Sequence, residues 1–268
     1  MHARASGVAV LPCIVVFATR DRTRAVARAA FPRRRGRLVL TRQSADFEGA
    51  FRANLVDAAV VDVGGSSDET WHVAELAREF PSVPFFAQSP VRASDGPTLA
   101  RCAALDFVDV LADGVDDSAF RDLIVPSGFS ARFSVALKEP PSALAITTPM
   151  QHAAWTYVIG HAGRTVRTDA LAEALGVTRE HLSRTFSAQG APNLKRVIDL
   201  VRLIAAAELS KNPGYDVGDV ARVLGFASSS HLSSTSQRIV GTKPASLTRL
   251  RTIDLVERFA HGRGRSRG

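Results

Sequence analysis

Residues 168–188 read TDALAEALGVTREHLSRTFSA, and residues 217–240 read VGDVARVLGFASSSHLSSTSQRIV. The two stretches share one plan. In the first, a short helix from Thr168 to Leu175 is followed by Gly176-Val177-Thr178 and a second helix from Arg179 to Ala188. In the second, Val217 to Leu224 precedes Gly225-Phe226-Ala227, and a helix runs from Ser229 to Val240. A turn glycine supplies the left-handed backbone that two packed helices need. Thr178 is a natural N-cap for its helix. The apolar residues fall where such a unit buries them: Leu171, Ala172, Leu175, Val177, Leu182 and Phe186 in one, Val217, Val220, Ala221, Leu224 and Leu232 in the other. Between them, Leu194 to Leu209 predicts one continuous helix, long enough to fix the spacing of the two units.

Charge points the same way. Residues 1–140 carry 17 basic and 17 acidic side chains, so the net charge of +8 falls on residues 141–268, with 17 basic and 9 acidic. A basic module joined to a neutral one suits a polyanionic partner, because neutralised phosphates release condensed counterions. A solvated basic surface without a partner would show the same count. Cys13 and Cys102 are the only cysteines, which predicts a reduced, cytoplasmic chain without structural zinc. The apolar stretch from Gly7 to Phe17 is too short to span a bilayer and reads as a buried strand.

Toward the N-terminus, strands and helices alternate. Predicted strands run from Ala9 to Phe17, Arg37 to Thr41, Ala58 to Val63, Val83 to Ala87 and Phe107 to Leu111. Helices are expected from Arg22 to Phe31, from Ser44 (as N-cap) to Asn54, from Asp68 to Phe80, from Pro97 to Leu105 and from Asp117 to Ile124. Continuous apolar strands alternating with helices predict a doubly wound, five-stranded parallel sheet. The expected organisation is an α/β domain over 1–128, a linker over 129–149 in which Phe129 to Leu137 could form an extra strand, an all-α domain over 150–255, and a basic, disordered tail over 256–268.

The run LAEALGVTREHLSRTFSAQG, the helix LVRLIAAAELS and the segment VGDVARVLGFASSSHLSSTSQRIVGTKPASL together resemble the AraC/XylS family of transcription regulators. The most specific pieces are Arg202-Leu203, Leu224-Gly225-Phe226, and Gly241 followed by Pro244. The resemblance implies a sequence-specific regulator that binds double-stranded promoter DNA and acts on RNA polymerase. It places base-reading positions at Glu180, Ser183 and Arg184 in the first unit, and at Ser229, Ser230, Ser233 and Ser234 in the second. Ser234 stands where the family usually has a basic residue, and Ser236 where it has a core aromatic. Serine discriminates poorly between bases, so the second unit is expected to contribute mainly phosphate contacts, through Arg238 and Lys243, with Arg179 doing the same in the first. Looser packing around Ser236 is a further expectation. His181 and His231 occupy equivalent places and read as packing or phosphate-side residues.

The N-terminal part resembles a response-regulator receiver domain, with Asp57-Ala-Ala-Val-Val-Asp62 like the strand that ends in a phosphoaccepting aspartate. The acidic pair that would hold Mg²⁺ is replaced by Phe17, Ala18 and Thr19, and Ala112-Asp113-Gly114 stand where a lysine is expected; only Ser89 matches a switch hydroxyl. The resemblance therefore implies a degenerate receiver-like domain, regulatory or homodimerising and not phosphorylated, with no cofactor or metal. The alternatives are a phosphorylation-dependent regulator using Asp62, or a protein-interaction module with weak DNA binding. No P-loop, GxGxxG, GxSxG or HExxH occurs, and Gly64-Gly65-Ser66-Ser67 is the one turn suited to cradle an anion, so an enzyme is not expected.

Overall fold

Cys-Ile-Val-Val-Phe and Ala-Ala-Val-Val-Asp are buried along their whole length, as strands covered on both faces must be. In the computed structural model, which describes residues 10–65 and 67–262, they are β1 (Cys13–Phe17) and β3 (Ala58–Asp62) at the heart of a sheet. β2 (Arg37–Thr41), β4 (Phe85–Ser89) and β5 (Asp109–Ala112) complete it, and all neighbours pair in parallel in the order β2-β1-β3-β4-β5. That is a doubly wound order; the chain reverses direction between β1 and β3, which leaves a crevice beyond their carboxyl ends.

Helices α1 (Asp21–Ala30), α2 (Ser44–Ala53), α3 (Asp68–Glu75) and α4 (Gly96–Ala104) connect the strands, and α5 (Phe120–Ile124) follows β5. Ile14, Val16, Ala58, Val60, Phe86 and Leu111 point to one face and pack with Ala27, Phe31, Phe120 and Ile124 of the α1 and α5 side. The other face carries an aromatic cluster, with Phe51 stacked on Phe80 at 4.3 Å and Phe47 set edge-on to Phe17 at 6.3 Å. Each buried phenyl ring contributes about 1.5–3 kcal/mol.

The alternation matches expectation, with shifts at element ends. Ala9 lies outside the described residues, and β4 and β5 each begin two residues later than predicted. Gln43, not Ser44, is the N-cap of α2, and the Ser44 N–H donates to Glu69 Oε1 at 2.8 Å.

Past the sheet the chain is helical: α6 (Phe129–Ala136), α7 (Pro149–Gly160), α8 (Thr168–Ala174), α9 (Arg179–Phe186), α10 (Leu194–Leu209), α11 (Val217–Val223), α12 (Ser229–Val240) and α13 (Thr252–His261). Two expectations are corrected. Residues 129–149 are not a free linker holding an extra strand. Phe129, Phe133 and Leu137 are buried at a four-residue spacing while Val135 is 75% exposed, which is a helical pattern. Leu144 and Ile146 beyond α6 are buried too. The tail does not start at residue 256 either, because Leu255, Val256 and Phe259 form the buried face of α13. Residues 263–268 of the expected tail lie outside the described residues.

Contacts gather Leu11–Arg132 with Asn212–Asp216 into one compact unit, and Phe133–Lys211 with Val217 to Gly262 into another. In the second unit α10 is the core: Leu200, Val201, Leu203, Ala205 and Leu209 are fully buried.

Candidate nucleic-acid interface

Each helix-turn-helix is built the same way. Thr178 caps α9 by accepting from the His181 N–H at 3.2 Å, and Ser228 caps α12 by accepting from the His231 N–H at 3.1 Å. The turn glycines are near copies, Gly176 at φ +67° and Gly225 at φ +69°. Leu171, Ala172, Leu182 and Phe186 close the first unit; Val220, Ala221, Leu224 and Leu232 close the second. Leu175 and Val177 are only half-buried, and Val217, expected inside, is 38% exposed at the first position of α11.

The specific sequence pieces meet in space. Arg202 of α10 is buried, donates through Nη2 to the Leu224 carbonyl at 3.2 Å, and stacks with Cζ 3.8 Å from the centre of the Phe226 ring. Burial lowers its pKa, opposed in part by the charge of Asp199. The linker helix thus grips the turn of the second unit through the arginine of the pair that singles out the sequence. Thr165, ahead of α8, donates to the Gly225 carbonyl at 3.2 Å, so the segment leading into the first unit also touches the second turn.

With Leu182 and Phe186 facing inward, α9 presents Glu180, Ser183 and Arg184 to solvent. Neither Glu180 nor Arg184 makes an ion pair among the described residues. Exposed Arg179 lies 3.6 Å from Asp169 of α8. On α12, Ser229, Ser230 and Ser234 are exposed and Ser233 is half-buried; Ser234 Oγ donates back to the His231 carbonyl at 3.1 Å. Lys243 is exposed just beyond α12. Arg238 differs from the other cations: its Nη2 donates to the buried carboxylate of Asp199 at 2.9 Å, which ties α12 to α10. Ser236 is fully buried and its Oγ donates to the Thr242 carbonyl at 2.7 Å, so the place expected for an aromatic holds a satisfied hydroxyl. His181 and His231 are exposed, and the His231 ring packs edge-on to Phe226 at 5.6 Å.

One positioning residue escapes the sequence reading. Gln151 is fully buried in α7. Its Oε1 accepts from the Thr147 and Thr148 N–H groups at 2.8 and 2.9 Å, and its Nε2 donates to the Phe186 carbonyl at 2.8 Å and the Ala188 carbonyl at 3.2 Å. It fixes the carboxyl end of α9. Its signal was present as a capping box, Thr148-Pro149-Met150-Gln151.

In the sheet-containing unit, Asp62 ends β3 with no exposure. Its Oδ1 accepts from Arg20 Nε at 2.7 Å and the Gly64 N–H at 3.2 Å, and Arg20 Nη2 lies 2.6 Å away. Arg20 also bonds Asp113, which Gln88 Nε2 joins at 2.6 Å. Burial pushes the Asp113 carboxyl up, but the bonds from Arg20 and Gln88 and the charge of Arg20 pull it down by more, leaving it below the usual carboxylate range. Ser89 Oγ is buried and donates to Asp95 Oδ2 at 3.4 Å. Ser66 of the candidate anion turn lies outside the described residues.

Residues 171–249 match the family model of a helix-turn-helix domain, which bears out the AraC-type resemblance over that stretch. A solved structure of full-length FixJ from B. japonicum is similar over 81% of this chain and 97% of its own, at 13% identity and a TM-score of 0.39. No curated protein matches the chain. The helical unit carries a DNA-binding domain of the kind found in transcription regulators. No helix among the described residues is long and apolar enough to cross a membrane.

Proposed function

We propose that this protein is a sequence-specific, promoter-binding transcription regulator in which α9 does most of the base reading and α12 mainly anchors. The observation that carries the reading is the solvent face of α9, where Glu180, Ser183 and Arg184 stand together, exposed, opposite buried Leu182 and Phe186. A guanidinium with no ion-pair partner among the described residues is available for bidentate bonding to the O6 and N7 of guanine. Such a pair discriminates against a wrong base by about 1–3 kcal/mol. Glu180 accepts from cytosine N4 in the same groove. Ser229, Ser230, Ser233 and Ser234 offer short hydroxyls at base edges, which tolerate several bases. Arg179 and Lys243 contact phosphates, and Arg238 adds what its bond to Asp199 leaves over. The sheet-containing unit serves regulation or homodimerisation without taking a phosphoryl group, and RNA polymerase is the partner acted upon.

The test is selection of bound sequences from a random duplex pool with the full chain and with Arg184→Ala. The native chain should enrich a motif about two helical turns long. Arg184→Ala should lose the preference at one position, by about 1–3 kcal/mol, and keep the rest. An unchanged motif in Arg184→Ala would remove α9 as the reader. No enrichment by the native chain at low salt would favour a protein-interaction module, a reading that the uncharged face of α12 also suits.

A further inference from the structure

The crevice beyond β1 and β3 is where a doubly wound sheet builds its sites. Here it contains two carboxylates and one guanidinium. Asp62 comes from the end of β3, Asp113 follows β5, and Arg20 follows β1. Arg20 reaches both, with Nε and Nη2 on Asp62 and Nη1 on Asp113. The Arg20 backbone N–H adds a bond to Asp62 Oδ2 at 3.4 Å, so both oxygens of Asp62 are engaged.

The guanidinium has a built seat. A Cβ on Gly64 would lie 2.6 Å from Arg20 Cζ and 2.8 Å from Pro90 Cδ, so only glycine leaves the space that Arg20 fills. Two carboxylates, Asp62 buried and Asp113 half-buried, close enough to share one guanidinium repel each other unless a cation lies between them. Mg²⁺ commonly uses only one or two carboxylates plus water. Among the described residues no group of three or more His, Cys, Asp or Glu side chains gathers as a metal site, and Arg20 is the cation bonded to both carboxylates.

We infer that Arg20 is a built-in counter-cation: it takes the place between Asp62 and Asp113 that a divalent ion would need, keeps the native crevice closed to metal and phosphoryl donors, and hides a cation site that opens when the guanidinium is removed. This rests on the reading above that the unit works without phosphoryl transfer, and adds the residue responsible. It makes the state of the sheet-containing unit a property of an internal ion cluster, set at folding.

The experiment uses the full-length chain, with Mn²⁺ as the probe followed by the resonance of the free ion, and acetyl phosphate with Mg²⁺ followed by intact mass. The native chain should take up neither Mn²⁺ nor a phosphoryl group. Arg20→Ala should bind one Mn²⁺ per chain at least about tenfold more tightly than the native chain, since a unit positive charge has left the site. Asp62→Asn in that background should abolish the gain. Gly64→Ala, which crowds the guanidinium without changing charge, should show a smaller gain, and it carries this arm if Arg20→Ala loses its native circular dichroism. Mn²⁺ binding by the native chain equal to that of the variants would overturn the inference. So would folded variants that bind no better than the native chain while the latter stays unlabelled, which leaves the phosphorylation-independent reading standing. Labelling of native Asp62 would sink both, and DNA selection remains an independent readout.

Discussion

Gly163 follows α7 with φ at +81°, and a Cβ there would lie 2.2 Å from Ala205 Cβ. Ala205 is fully buried on α10, so the overlap meets the core helix rather than a movable side-chain end. Gly163→Ala therefore carries two penalties. A left-handed conformation costs a non-glycine residue roughly 1–2 kcal/mol. Overpacking a tight contact adds about 1–3 kcal/mol. The expected loss is about 2–5 kcal/mol, which at roughly 4 °C per kcal/mol lowers the melting point of the helical unit by some 8–20 °C. Gly176 separates the two terms: its φ is +67°, but nothing lies within 4 Å of its Cβ position. Gly176→Ala should cost only the backbone part, about 1–2 kcal/mol. Gly49, exposed inside α2 with open space around it, sets the opposite sign. Gly49→Ala should stabilise the sheet-containing unit by about 0.4–1 kcal/mol. Fluorescence of buried Trp155, in a Trp71→Phe background, reports unfolding of the helical unit by urea. If Gly163→Ala and Gly176→Ala cost the same within about 0.5 kcal/mol, the packing of the α7–α8 turn on α10 is not rigid and the argument fails.

Three further outcomes are expected. Arg202→Met keeps the length of the side chain but loses the bond to the Leu224 carbonyl and the stacking on Phe226. After relief of the buried charge it should destabilise the helical unit by about 1–3 kcal/mol in the same urea assay, and no loss would refute the grip of α10 on the turn. Ser236→Ala leaves the Thr242 carbonyl short of a donor and should cost about 1 kcal/mol by thermal melting. His161, whose Nδ1–H donates to the Tyr157 carbonyl at 2.8 Å, is held below its ordinary 6.5, mainly by burial. The unfolded chain then binds a proton that the folded one refuses, so stability is full above the ordinary value and falls as pH drops through it. His161→Gln should flatten that slope between about pH 7.5 and about pH 5.5, and an unchanged slope would assign it to another group.

Periodicity revealed what depends on neighbours in sequence. The strand-helix alternation, both turns and most buried positions of the two helix-turn-helix units follow from apolar spacing. The segment from Phe129 to Leu137 does not, because Phe133, Val135 and Leu137 alternate as a strand would while Phe129, Phe133 and Leu137 repeat every four residues. Only packing, which leaves Val135 exposed, decides between them. In α13, basic residues around Leu255, Val256 and Phe259 masked a helical face. Side-chain partners were the least legible part: Arg20 meets Asp62 across 42 positions and Asp113 across 93, and Gln151 meets Phe186 across 35. No local pattern encodes such pairs.

A count of charges therefore says less than their pairing. The neutral half of the chain uses many of its charges on itself, with Arg20 on Asp62 and Asp113, Arg22 on Asp117, and Arg101 on Glu75. The basic half does so too, with Arg251 on Asp254, Lys211 on Glu208 and Arg179 near Asp169. Arg222 is spent on Asp219 and Arg238 on Asp199, whereas Arg184 and Lys243 have no ion-pair partner among the described residues. Counterion release follows the phosphates actually neutralised, about 0.9 of an ion for each on duplex DNA. The salt slope of binding should then reflect the few unpaired cations rather than all 17 basic residues of that half. Lys243→Ala should weaken every duplex alike and reduce the slope by about 1. Arg238→Met should change the slope by less than half as much, while lowering stability, because its guanidinium holds α12 on α10. Titration of a labelled duplex at several salt concentrations measures both. Equal slope changes for the two variants would mean that Arg238 leaves Asp199 for phosphate on binding, and that pairing in the free protein does not forecast which cations meet DNA.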